Sequence, residues 1–250
     1  MSLIAFEKYQ SPLVVVTRPF PDCTRTAQQV ERVGFDSFEE PLGIVSYFSL
    51  DDVRIPREVG FILTSHRAVS ALKTISFSTY PTFYVVGERT AHTLRQNGFD
   101  DIAVTAANVA NLTDWLIKRK DMIQTPLIYL RGRDVSVPLA ETLTDKGFNI
   151  DEHTVYAIDT VESFSNEFTA LLTSQRALVI LLMSERTAKA FMRLLSGFDP
   201  QVKDRLRYLC FSPKIAETVE EHGGKSIDSC DDPTEDALVQ KLMLMYDEKI

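Results

Sequence analysis

Leu13-Val-Val-Val-Thr17, followed by Arg18-Pro-Phe-Pro21 and closed by Gly34-Phe35, decides the fold, because the chain repeats this plan at 127–148. The first five residues are a short β-branched apolar run and read as a strand. Pro19 and Pro21 read as a turn, and Ala27, Val30 and Val33 recur at helical spacing before Gly34 stops the helix. In the second copy Leu127 to Leu130 is the strand, Arg131-Gly-Arg-Asp134 the turn, and Leu139 and Leu143 carry the helix to Gly147. Sixteen residues separate Arg18 from Gly34 and Arg131 from Gly147, and Phe follows each glycine. Equal spacing of this kind suggests a duplication.

Two further pairs extend the repeat. Phe61-Ile-Leu-Thr-Ser65, leading into Ala68, Ala71 and Leu72, resembles Val179-Ile-Leu-Leu-Met-Ser184, leading into Ala188 and Phe191. Phe83-Tyr-Val-Val-Gly87 matches Tyr208-Leu-Cys-Phe-Ser212, with Gly98 and Gly223 each eleven residues further on. Both copies then end in a helix, near Leu112 to Ile117 and Ala237 to Met245. Strands alternating with helices of about ten residues imply an α/β fold, each copy a parallel sheet flanked by helices. The first strand-helix unit has no immediate successor of its kind, whereas a complete set of units runs from 61 to 148. One lobe is therefore expected to be inserted in the other: lobe 1 over residues 1–37 and 163–250, lobe 2 over 50–149. The crossovers 38–49 and 150–162 are expected to pair as a two-stranded antiparallel connector.

Composition narrows the class. The 250 residues favour one to two domains, and 44% hydrophobic with 25% charged residues is ordinary for a soluble globular chain. A net charge of −8 leaves no overall footprint for nucleic acid or an anionic bilayer, so neither is expected as a partner. Cys23, Cys210 and Cys230 are odd in number and far apart, which predicts no disulfide framework or zinc site and fits a reducing cytoplasm. Leu3 to Phe6 is a short apolar stretch without a basic leader, and the longest apolar run, Ala177 to Met183, has seven residues; no signal peptide or membrane span is expected.

Ligands of open parallel sheets bind beyond the carboxyl ends of the strands, near helix N-termini. The corners at those ends hold Thr64, Ser65, Thr90, Ser184 and Ser212 together with Arg18, Arg67, Arg89, Arg131, Arg133, Arg186 and Lys214. Cations in the first turn of a helix oppose its macrodipole, so their recurrence there points to an anion-binding cleft between the lobes, for carboxylates or phosphates. Taken singly, Ser65, Ser184 and Ser212 read as helix caps. Phosphate-loop, dinucleotide, zinc-protease and nucleophile-elbow motifs are missing, and the four histidines lack ligand spacing. No metal or other cofactor is expected. Tyr156, on the second connector, is the remaining candidate for chemistry. A phenol protonated at neutral pH can donate a proton or hydrogen bond; packing with a solvated hydroxyl is the alternative role. Tyr84, Tyr129 and Tyr208 sit inside apolar runs and read as structural.

Val14-Val-Val-Thr-Arg-Pro19, Leu63-Thr-Ser-His-Arg-Ala-Val69, Tyr84-Val-Val-Gly-Glu-Arg-Thr-Ala91 with Gly98, Leu139 to Gly147 leading to Thr154-Val-Tyr156, Ser184 heading a helix, and Asp232-Pro-Thr-Glu-Asp-Ala-Leu238 together resemble the uroporphyrinogen-III synthase family. The resemblance implies two α/β lobes on a two-stranded connector. It implies a cofactor-free enzyme that closes hydroxymethylbilane, with inversion of the last pyrrole ring, to uroporphyrinogen III. It further implies that Tyr156 assists departure of the substrate hydroxyl, and that Thr64, Ser65, Thr90 and Ser184 line the cleft. The substrate would be the linear tetrapyrrole, received by direct transfer from hydroxymethylbilane synthase, and the protein would be a monomer. Three departures bear on the site: Ile215 replaces a family threonine, Ser212 a glycine, and Ser136 an arginine. Ile215 and Ser136 motivate one alternative, a non-catalytic synthase-like binder of an anionic polycarboxylate.

Overall fold

The computed structural model describes residues 12–135, 137–174 and 176–247. In chain order its elements begin β1 (Leu13–Val16), α1 (Asp22–Arg32), β2 (Asp36–Glu39), β3 (Gly43–Tyr47), β4 (Gly60–Leu63), α2 (Val69–Leu72), β5 (Thr82–Val86) and α3 (Glu88–Gln96). They continue with β6 (Ile102–Ala106), α4 (Val109–Lys118), β7 (Leu127–Gly132), α5 (Leu139–Asp145), β8 (Ile150–Thr160), α6 (Asn166–Thr173), β9 (Leu178–Leu182) and α7 (Glu185–Leu195). The last are α8 (Pro200–Arg205), β10 (Arg207–Cys210), α9 (Pro213–Glu221), β11 (Ser226–Ser229) and α10 (Glu235–Asp247). Two compact units divide the chain, Met1–Ile44 with Asp159–Ile250, and Val45–Ile158.

Among the described residues the first unit holds a five-stranded sheet, ordered β11-β10-β9-β1-β2 and parallel throughout. Strands β1 and β9 are apolar at every position because both faces are covered. Leu13 and Val15 point into a cluster with Phe168 of α6, Phe191 of α7 and Val219 of α9. Val14 and Val16 point the other way, toward Ala27 and Val30 of α1 and Leu238 and Leu242 of α10. The second unit repeats this arrangement. Phe61 and Leu63 of β4 pack with Leu72 of α2 and Leu94 of α3, while Ile62 packs with Leu112 and Leu116 of α4 and Leu139 and Leu143 of α5. Its sheet has the order β3-β8-β7-β4-β5-β6, and β4 to β8 are parallel.

The order β2-β1-β9-β10-β11 in one unit corresponds to β8-β7-β4-β5-β6 in the other. Thus β1 matches β7, β9 matches β4, and β10 matches β5, which are the three pairs the sequence repeat aligns. The glycine-phenylalanine signature also has a structural cause. Gly34 (φ +92°) donates to the Glu31 carbonyl and Phe35 to Val30; Gly147 (φ +78°) donates to Thr144 and Phe148 to Leu143. This is the Schellman helix stop, in which the left-handed residue is glycine and the next, apolar, residue folds back onto the helix.

Strand β3 lies at the edge of the second sheet beside β8. The Phe48 N–H donates to the Val155 carbonyl at 2.9 Å and the Val161 N–H to the Leu42 carbonyl at 3.3 Å, so residue numbers rise on one strand as they fall on the other. The two strands therefore form the antiparallel connector. Eleven-residue β8 serves twice, since it also pairs parallel with β7 from Ile150 onward. The structure differs from the sequence reading at Phe38 and Glu39, which lie in β2, paired with Val15 and Val16. Asp36-Ser-Phe-Glu39 has a single apolar residue, enough for an edge strand that packs Phe38 on Phe168 but too little to show as a strand by pattern. The expected helix after Ser65 is a 3-10 turn over His66–Ala68 running into four-residue α2.

Candidate active site

In a doubly wound sheet the strand order reverses at a switch point, and the crevice at the carboxyl ends of the two strands there is the usual ligand site. In the second unit those strands are β7 and β4. Thr64 and Ser65 follow β4, and Tyr129 stands on β7, paired in register with Ile62. The Thr64 and Tyr129 hydroxyls are 3.0 Å apart, a hydrogen bond directly across the switch point. Burial pushes the Tyr129 phenol up from its usual value, and the bond with Thr64 works against that. Tyr129 therefore stays neutral at physiological pH.

Tyr156 reaches the same end of the sheet from β8, where it is in register with Gly132, the last residue of β7. Its half-buried ring lies against the Gly132 backbone: a β-carbon there would stand 2.7 Å from Cζ and 2.9 Å from Oη of Tyr156. Only glycine admits the ring so close. The Arg133 N–H donates to the Tyr156 carbonyl at 2.8 Å and fixes the strand end. Arg67 is buried at 9% exposure behind Ser65, whose hydroxyl accepts its backbone N–H at 3.3 Å. Burial lowers the Arg67 guanidinium from its ordinary value, while the nearby Tyr47 and Tyr156 phenols act in the opposite sense. Thr64, Ser65, Arg67 and Tyr156 are thus gathered in one unit, joined by Tyr129, Gly132 and Tyr47, which sequence reasoning passed over. For Tyr129 the signal was hidden, because a tyrosine in an apolar run looks like core until its strand neighbour is known.

Other predicted residues of this unit are placed differently. Thr90 is buried in the first turn of α3, its N–H bonded to the Gly87 carbonyl. Arg131 holds Glu152 through Nε and Nη2 at 2.9 and 3.0 Å and the Gly132 and Arg133 carbonyls through Nη1. The two bonds to Glu152 clasp β7 to β8, and the other two hold the carboxyl end of β7.

The first unit has its switch point between β1 and β9, crossed by the bond from the Thr17 hydroxyl to the Leu181 carbonyl at 2.6 Å. Arg18 follows Thr17 and enters an ionic cluster: Nη1 bonds Glu235 at 2.7 Å and the Thr26 hydroxyl at 3.1 Å, and Nη2 lies 3.6 Å from buried Asp22. Arg25 also grips Glu235. Burial alone would raise the Glu235 carboxyl, but hydrogen bonds from Arg25 and Arg18 and their charges outweigh it and bring it down to about 2. Ser184 caps α7, accepting the Thr187 N–H at 3.1 Å. Ser212 is the residue before α9 and makes no capping bond through its side chain, and exposed Lys214 pairs with Glu185 at 2.7 Å. Ile215 is 5% exposed in the core with Phe191 and Val219, so the methyl-rich side chain is used for packing where the resemblance expects a threonine. Ser136 lies outside the described residues. Among the described residues no three His, Cys, Asp or Glu side chains gather as a metal site, and no helix is long and apolar enough to cross a membrane.

Two matched sheets, each with a hydroxyl bonded across its switch point and one with a phenol laid against the end of a switch-point strand, define a duplicated α/β protein. Residues 24–240 match the sequence model of uroporphyrinogen-III synthase HemD, and the chain belongs to the uroporphyrinogen-III synthase family. It is a lyase that converts hydroxymethylbilane to uroporphyrinogen III in tetrapyrrole biosynthesis. Among solved structures, uroporphyrinogen-III synthetase from Helicobacter pylori is 18% identical with a TM-score of 0.64, covering 94% of this chain and 99% of its own, and shares the fold. Uroporphyrinogen III synthase from Thermus thermophilus is 15% identical with a TM-score of 0.42, over 96% and 100%. No curated protein sequence matches the chain significantly.

Proposed function

We propose that Tyr156 is the group that donates a proton or hydrogen bond to the departing hydroxyl of hydroxymethylbilane, and that Thr64, Ser65 and Arg67 bind carboxylate or pyrrole groups beside it. The supporting observation is the Tyr156 phenol against Gly132, at the carboxyl end of β7 and next to the Thr64 and Tyr129 pair. In the family's chemistry a proton delivered to the terminal hydroxyl lets it leave as water, while the pyrrole nitrogen's electron pair forms an azafulvene. Attack by a substituted pyrrole carbon gives a spiro intermediate, which fragments and recloses with ring D inverted, and loss of a ring proton restores aromaticity. A phenol suits the first step because its hydroxyl can donate a proton or a hydrogen bond to the leaving oxygen. Holding a flexible chain in the geometry of the spiro step is an orientation effect worth about 7–11 kcal/mol at best.

Thr90, Ser184, Ser212 and Lys214 are proposed as further carboxylate contacts, through hydroxyls and the N–H groups of helix starts. Arg18 and Arg131 contribute by shaping the carboxyl ends of β1 and β7, since their guanidinium groups are held by Glu235 and Glu152. A reducing cytoplasm accords with three buried, unpaired cysteines; a monomer that takes its substrate from hydroxymethylbilane synthase is proposed on the family resemblance alone.

The test supplies purified protein with fresh hydroxymethylbilane, oxidises the product and resolves the uroporphyrin isomers. Type III in excess of the spontaneous type I background is expected. Tyr156→Phe should lower turnover with the fold intact, and unchanged turnover removes Tyr156 from the reaction. Type I alone from folded wild-type protein would overturn the catalytic reading.

A further inference from the structure

The connector register sets a second phenol beside Tyr156. Phe48 bonds Val155 and Leu42 bonds Val161, six residues apart on both strands, so the ladder stays in step between them. Antiparallel ladders alternate hydrogen-bonded pairs with pairs that are not bonded. Phe48 and Val155 form a bonded pair, which makes Tyr47 and Tyr156 the adjacent non-bonded pair. Cα atoms in such pairs are about 4.5 Å apart and the two side chains rise from the same face. Both phenols act on the buried Arg67 guanidinium, in keeping with one shared neighbourhood.

The fold does not need this ring. Tyr47 belongs to neither core cluster of its unit and is 50% exposed, whereas Tyr156 packs against the cluster of Phe61 and Val155. Strand β3 is also the sheet edge, where exposed aromatic groups invite unwanted pairing and are usually replaced by charges. An exposed ring kept at that place, next to the proton donor, has a use in binding.

We propose that Tyr47 contacts the substrate, its ring face taking one pyrrole ring of the linear tetrapyrrole and holding it beside the Tyr156 hydroxyl. The inference rests on the catalytic reading above and adds a surface that binds the reacting end of the chain. A phenol ring has a negative face, which accepts a heteroaromatic ring offset-stacked or edge-on through its N–H.

Steady-state kinetics of Tyr47→Phe and Tyr47→Leu, with isomer analysis and thermal unfolding, test it. Tyr47→Phe keeps the ring and should retain the wild-type KM. Tyr47→Leu keeps apolar bulk without a π face and should raise KM about 3- to 10-fold, with kcat little changed, the range one aromatic contact spans. Equal melting temperatures for both variants would exclude a merely structural role. A Tyr47→Leu protein with the wild-type KM overturns the inference, as does a Tyr47→Phe protein that loses as much as Tyr47→Leu. Both outcomes differ from type I product by the wild-type protein, which would overturn the catalytic reading itself.

Discussion

The Tyr156 ring and the Gly132 backbone occupy adjoining space so closely that a single added carbon at 132 would stand 2.7 Å from the ring. Gly132 is not among the glycines with positive φ, so its role is to make room for the ring rather than to permit a special backbone. Gly132→Ala should therefore displace the phenol while the chain still folds. We expect a stability loss of about 1–3 kcal/mol, the usual cost of overpacking, and a fall in kcat of tenfold or more. Chemical denaturation and turnover measured on the same preparation separate the two effects, and an alanine variant with full activity would show that the ring position is immaterial.

Tyr129 and Thr64 are bonded across the switch point. Tyr129→Phe and Thr64→Val each remove that bond, and once it is gone the second substitution has less to lose. A double-mutant cycle on unfolding free energy should give a coupling of about 0.5–1.5 kcal/mol. Strict additivity would mean that the two hydroxyls do not support one another.

Glu235 binds Arg18 and Arg25, and its carboxyl titrates at about 2 against an ordinary 4.5. The folded state releases this proton more readily than the unfolded chain does, so the group stabilises the fold fully above about pH 5 and progressively less toward pH 2. Acid titration of stability should show a loss in that window of up to about 3 kcal/mol, which Glu235→Gln abolishes by lowering stability at neutral pH. An unchanged acid limb in the variant would contradict the assignment.

Gly34 ends α1 at φ +92° with no atom near its missing side chain. Gly34→Ala meets no collision, so its cost is the left-handed backbone alone, about 1–2 kcal/mol. Gly34→Asn should cost less, because asparagine tolerates that conformation. Urea midpoints at constant m-value would show the order Gly, Asn, Ala, and a different order would argue against a Schellman stop as the reason for the repeated glycine.

Much of this architecture was legible beforehand because its determinants are local. Strands buried on both faces, such as Leu13 to Val16 and Leu178 to Leu182, read as continuous apolar runs. Helix stops at Gly34 and Gly147 leave a glycine and an aromatic at fixed spacing, which is why the duplication can be counted off the chain. Edge strands were harder to see: Asp36 to Glu39 and Ser226 to Ser229 are largely polar, and their pairing comes from neighbours distant in sequence.

The amino-acid sequence by itself determined the α/β class and the duplication and singled out Tyr156, since strand burial, helix stops and family motifs are written in short segments. Tertiary structure alone decided which side chains meet. Arg18 finds Glu235 across 217 residues, Thr64 finds Tyr129 across 65, and Tyr47 faces Tyr156 only because the connector adopts one register out of several. Such meetings depend on strand order and register, which are set by packing both faces of a sheet at once, and no local pattern of residues encodes them.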